Sequence, residues 1–156
     1  METVYLETTF ISYLVSRPSR DLLVAAHQQV SRDWWDERRG YFDCYVSQLV
    51  IDEASAGDRE GAKKRISIIM GIPVLEIDSD AESLAMAIIE GGAIPLHAAG
   101  DAAHIGIATA NRMDYLLTWN CKHLANAQIM RRVGTICNRR GYRMPLICTP
   151  EELMGE

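Results

Sequence analysis

Apolar positions along the chain switch between a period of two and a period near 3.6, and the switching predicts strands and helices in turn. Val4-Tyr5-Leu6 is a short β-prone run, and Glu7-Thr8-Thr9 follows as a cap before a helical stretch from Phe10 to Val15. Arg17-Pro18 interrupts the pattern, and Ser19 stands where it would cap a second helix. There Leu22, Ala26, Val30 and Trp34 recur every four residues, with Leu23 and Trp35 alongside. That spacing predicts one apolar stripe, most of it core, on a helix ending near Gly40. A second strand is predicted over about Phe42–Val46, and Ser47 caps a short helix through Glu53. Gly57-Asp58 punctuates the chain before a basic helix bearing Lys63, Lys64 and Arg65, which stops at Gly71, and Pro73–Ile77 reads as strand three.

In the second half, Ser79 with Glu82 three residues on reads as a capping box, opening a helix through Leu84, Ala87 and Ile88 to Gly91-Gly92. The next helix, from about His97 to Arg112, carries Ala102, Ala103, Ile105, Ile107, Ala108 and Ala110. Those residues leave no wide polar face, so this helix is expected to be mostly buried. Tyr115–Thr118 reads as strand four and Pro145–Cys148 as the last strand, while Thr149-Pro150-Glu151-Glu152 combines a capping box with Pro at the first helical position. Strands alternating with helices predict a three-layer α/β fold, a central, mainly parallel sheet flanked by helices, formed as one domain over residues 1–156.

Composition narrows the class. With 48% hydrophobic and 24% charged residues the chain matches neither a disordered segment nor a membrane protein, and no apolar run approaches the roughly 20 residues of a span. Met-Glu-Thr-Val does not read as a secretory start, so a cytoplasmic location is expected. Cys44, Cys121, Cys137 and Cys148 lie far apart with no C-x-x-C pair, which suits reduced thiols. The net charge of −5 hides an asymmetry. No acidic residue occurs between Asp114 and Glu151, where Lys122, Arg131, Arg132, Arg139, Arg140 and Arg143 give +6 and leave −11 for the rest. One reading is a solvated basic face; the other is a track for the phosphates of an anionic partner.

In an open parallel sheet, ligands gather outside the carboxyl ends of the strands. Glu7 leaves strand one at that edge and Asn120 leaves strand four there, while Glu53 follows strand two and Asp101 lies in the first turns of the helix before strand four. Converging carboxylates repel unless a cation neutralises them, and hard oxygen ligands suit Mg²⁺ or Mn²⁺. Each residue also has an ordinary alternative. Glu7 could cap its helix, Glu53 could be a solvated charge, Asp101 could favour the positive end of a helix, and Asn120 could simply close a turn. His104, one turn after Asp101, reads as a packed or supporting residue, and Trp119 as a loop anchor.

The stretches YLETTFISYL, SQLVIDEASAG and GDAAHIGIATANRMDYLLTWNCKHLAN together resemble the PIN-domain family, of the kind found in VapC-type toxin ribonucleases. The resemblance implies a metal-dependent ribonuclease whose acids fall on Glu7, Glu53, Asp101 and, at the fourth position, Asn120, with hydroxyls at Thr8 and Thr118 flanking the site. It implies Mg²⁺ or Mn²⁺ as cofactor, an RNA substrate, an antitoxin partner and a homodimer. Two positions depart from the family pattern. The first acid is usually Asp and is Glu7 here, and the fourth is usually Asp, so Asn120 leaves three carboxylates for the cation. A PIN-like module that binds RNA or protein without cleaving is the alternative that those departures keep open.

Overall fold

The structure, a computed structural model, describes residues 1–156. Its elements run β1 (Glu2–Leu6), α1 (Thr8–Val15), α2 (Leu22–Glu37), β2 (Phe42–Ser47), α3 (Gln48–Ala54), α4 (Arg59–Ile69), β3 (Val74–Leu75), α5 (Ser79–Glu90), α6 (Ala99–Ala110), β4 (Tyr115–Leu117), α7 (Ala127–Arg139) and β5 (Leu146–Cys148). Short 3-10 turns occupy Arg39–Tyr41, Leu96–Ala98 and Pro150–Leu153. The five strands form one parallel sheet in the order β3-β2-β1-β4-β5, with helices on both faces, so the expected three-layer α/β architecture is the observed one. Because β1 extends to β2 on one side and β4 on the other, the winding reverses between β1 and β4. In sheets of this kind ligands gather at the carboxyl ends of the strands beside such a reversal.

Burial explains the strand sequences. Val4, Tyr5 and Leu6 of β1, and Leu116 and Leu117 of β4, are fully buried, as parallel strands covered on both faces require. The outer strand β3 keeps only two residues of the predicted five. Pro73 has no N–H to donate, Val74 is 52% exposed, and so the sheet ends in a short edge that offers little to pair with. The helix caps are more acidic than the sequence reading placed them. Asp21, not Ser19, caps α2 by accepting from the Val24 amide, and Asp78, not Ser79, caps α5 by accepting from Ala81. The terminal capping box of Thr149 and Glu152 is present, on a 3-10 turn rather than an α-helix.

Two expectations about helices are overturned. In α2 the predicted stripe reaches the core only at its Trp34 end, because Leu22 and Leu23 are 86% and 73% exposed and Ala26 is exposed as well. Its buried positions are Gln28, Ser31 and Trp34. Polar groups are tolerated there because each is bonded: Gln28 accepts from the Ser19 amide and donates to the Arg17 carbonyl, and Ser31 donates to the His27 carbonyl. Helix α7 lies in the basic segment, where no helix was expected. Ile129, Val133 and Cys137 recur every four residues on its buried face, Asn126 caps it by accepting from Gln128 and Ile129, and Gly141 at φ +81° follows its end.

Candidate active site

Parallel topology brings the chemistry to one edge. β1 ends at Leu6, so Glu7 is the first residue beyond the sheet and at the same time the N-cap of α1. Its Oε2 accepts from the Thr9 amide at 2.7 Å, the Thr9 hydroxyl at 2.7 Å and Thr118 Oγ1 at 3.3 Å. Oε1 has no protein partner and is not sealed from solvent. The residue as a whole is only 2% exposed. Burial pushes the Glu7 carboxyl above its ordinary pKa, the nearby His104 and the hydrogen bonds from Thr9 offset part of that, and the nearby Glu53 carboxylate adds to it.

Glu53 reaches the same place from α3. Its Oε1 accepts from Thr8 Oγ1 at 2.5 Å and contacts His104 Nε2 at 2.7 Å, while Oε2 lies beside Gly100, where an added Cβ would approach it to 3.6 Å. Partial burial alone would raise the Glu53 pKa, but the bonds from His104 and Thr8 outweigh it and hold the carboxyl below its ordinary value. Asp101, in the first turn of α6, contacts His123 Nδ1 through Oδ2 at 2.9 Å and leaves Oδ1 without a partner. Glu7, Glu53 and Asp101 thus share a pattern, one oxygen fixed by the protein and one left free.

The fourth position behaves differently. Asn120 Oδ1 accepts from the His123 amide at 3.1 Å, so this residue takes up the turn role and also orients the histidine that pairs with Asp101. Thr118 and Thr9 knit the two strand ends together: Thr118 Oγ1 accepts from the Asn120 amide at 2.9 Å, and Thr9 Oγ1 accepts from the Trp119 amide at 2.9 Å. Trp119 is the expected anchor, 7% exposed, donating to Ser31 Oγ at 2.7 Å and stacked on His27 with ring centres 4.0 Å apart.

The basic residues divide. Lys122 lies in the loop after β4 at the crest, and Arg131 and Arg132 are exposed on the first half of α7. Arg139, Arg140 and Arg143 do not join them. α7 starts at the crest and runs back along the sheet for 13 residues, about 20 Å, which carries its far end to the opposite edge. There Arg143 lines a cavity with Glu2, Asp114 and Tyr115, at the amino ends of the strands. The six cations therefore do not form one patch beside the carboxylates.

No three His, Cys, Asp or Glu side chains are gathered closely enough to form a complete cation cage. The donor set nevertheless fits a hard divalent ion in kind, because three carboxylates each keep one oxygen out of the protein's own hydrogen bonds. Tyr5, Thr9, Ser47 and His123 are supporting residues of this crest that the sequence reading did not single out. A signal existed only for His123, which follows Asn120 at the three-residue spacing of an amide-capped turn.

No family model matches the sequence, and no curated protein matches it. Among solved structures, a chain from the structure of FitAB bound to an IR36 DNA fragment resembles this one with a TM-score of 0.57 at 15% identity, over 94% of each chain. At that identity the likeness speaks for the fold. This chain has a PIN-like three-layer α/β fold.

Proposed function

We propose that the protein is a metal-dependent endoribonuclease that hydrolyses RNA phosphodiester bonds, and that it is the toxin-type member of a pair with an antitoxin. The observation that carries this reading is the shared pattern of Glu7, Glu53 and Asp101, three carboxylates of one crest that each hold one oxygen by hydrogen bonds and leave the other free. These residues would hold Mg²⁺ or Mn²⁺, which supplies Lewis-acid charge for attack of water on a phosphodiester. Thr8, Thr9 and Thr118 fix the carboxylates, His123 fixes Asp101, and Asn120 sets the loop from which its side-chain Nδ2 orients water or substrate. Lys122, with Arg131 and Arg132, would contact phosphates next to the site. The likeness of fold to a chain of FitAB, solved bound to DNA, supports the toxin-type reading and a protein partner.

Calorimetric titration with Mn²⁺, wild type beside Asp101→Asn, tests the metal site. Saturable binding in the wild type, lost in the variant, is expected. The commitment of Asn120 Oδ1 to a turn favours a second reading, a PIN-like module that binds RNA without cutting it. RNA binding that persists unchanged in excess chelator, with no Mn²⁺ bound by the wild type, would select that reading instead.

A further inference from the structure

A chain of polar side chains runs from the crest into the fully buried core. Glu53 Oε1 contacts His104 Nε2 at 2.7 Å, His104 Nδ1 contacts the Tyr5 hydroxyl at 2.7 Å, and that hydroxyl contacts Ser47 Oγ at 2.7 Å. Ser47 Oγ also accepts from the Val50 amide at 3.3 Å, as the N-cap of α3. Ser47 and Tyr5 are 0% exposed and His104 is 1% exposed, so no solvent completes their hydrogen bonding. The four residues come from β1, β2, α3 and α6.

Proton counting gives the chain a direction. The Ser47 hydroxyl hydrogen has one acceptor, the Tyr5 oxygen. The Tyr5 hydroxyl hydrogen then goes to His104 Nδ1, which must be bare, so the ring proton sits on Nε2 and is donated to Glu53. Every donor and acceptor is satisfied in this arrangement with a neutral imidazole. Burial also raises the Tyr5 pKa far above its ordinary value, which keeps the phenol a donor.

We infer that Tyr5 and His104 are positioning residues for Glu53: the phenol fixes the imidazole as its Nε2–H tautomer, and the imidazole pins Glu53 Oε1 so that only Oε2 is presented at the crest. The inference rests on the proposed metal site for its functional consequence, and on geometry alone for the tautomer. Outer partners of this kind typically govern metal affinity by 10- to 100-fold.

The test has two independent arms. Long-range ¹H–¹⁵N spectra of the wild-type protein report the His104 tautomer without any variant. For the neutral ring a single Nε2–H form is expected, and an Nδ1–H form overturns the inference. In the second arm, Mn²⁺ affinity is measured for Tyr5→Phe, His104→Leu and His104→Gln, each checked for folding by circular dichroism. A carboxamide offers an acceptor and a donor like the two ring nitrogens, so His104→Gln is expected to stay within about threefold of wild type while His104→Leu falls by tenfold or more, within the range for outer partners. Equal affinities for Leu and Gln, or an undiminished affinity in Tyr5→Phe, overturn the positioning role. If the wild type binds no Mn²⁺, the metal reading fails, and the tautomer arm still decides whether the relay exists.

Discussion

Glu7 and Glu53 meet at one crest, yet their surroundings push them in opposite directions. Glu7 is buried against Thr9 and Thr118, and its pKa is raised; Glu53 receives hydrogen bonds from His104 and Thr8, and its pKa is lowered. In the metal-free protein the fold therefore holds the Glu7 proton more tightly than the unfolded chain does. Its contribution is fully present below the ordinary carboxyl range and is lost as pH rises through the raised value. The contribution of Glu53 has the opposite sign, present above the ordinary range and lost as pH falls through the lowered value. Glu7→Gln keeps an oxygen for Thr9 and Thr118 while removing the buried charge. In excess chelator it should melt at a higher temperature than wild type at pH 7, with the gap closing toward pH 4. A variant less stable than wild type at pH 7 would show that Glu7 ionises in the fold without penalty. The acids themselves were legible in the sequence, since each follows a strand or opens a helix at a predictable edge. The hydroxyls of Tyr5, Thr9 and Ser47 were not, because only three-dimensional contact distinguishes them from ordinary strand and cap residues.

Elements hold these residues in register through close approach. α5 and α6 pack most intimately at Gly106, where an added Cβ would meet the Ala81 carbonyl oxygen at 2.5 Å and the Ala85 amide at 3.2 Å, both backbone atoms that cannot swing aside. Gly106→Ala should destabilise the protein by about 1–3 kcal/mol, as other overpacked sites do, despite the better helix propensity of alanine. Urea unfolding checks this, and a neutral or stabilising result would mean that the two helices can slide apart freely. The small residues of α6 announced such packing in the sequence, and the parallel sheet followed from alternation of elements, though its strand order did not. The face of α2 was legible only at Trp34, because Gln28 and Ser31 share its buried side while Leu22, Leu23 and Ala26 are exposed. Here hydrogen bonding of Gln28 and Ser31 outranks hydrophobic periodicity. α7 was legible in principle, from Asn126, the Ile129-Val133-Cys137 repeat and Gly141, but its run of arginines drew the reading toward charge instead of period.

At the scale of the molecule, a contiguous buried core runs from Val4 to Leu153 and includes none of the three crest carboxylates. No helix is long and apolar enough to cross a membrane, and all four cysteines are free. Chelation should therefore leave the chain folded, which distinguishes this site from a structural metal centre. The split of the basic segment makes a second whole-molecule prediction. Arg131 and Arg132 lie on the crest half of α7, whereas Arg139 and Arg140 lie about 12 Å further along it, more than one screening length at physiological salt. Arg131→Glu with Arg132→Glu should weaken RNA binding about tenfold or more and flatten its salt dependence, while Arg139→Glu with Arg140→Glu should change it by less than about threefold. Equal losses in a filter-binding assay would mean that RNA follows the whole helix. The central claim is tested most directly by incubating a mixed RNA pool with wild type and Asp101→Asn in Mg²⁺, in Mn²⁺ and in excess chelator. Cleavage by the wild type that requires the metal and is lost in the variant is the predicted result. RNA left intact by the wild type in both metals, or cut equally well by Asp101→Asn, would contradict it.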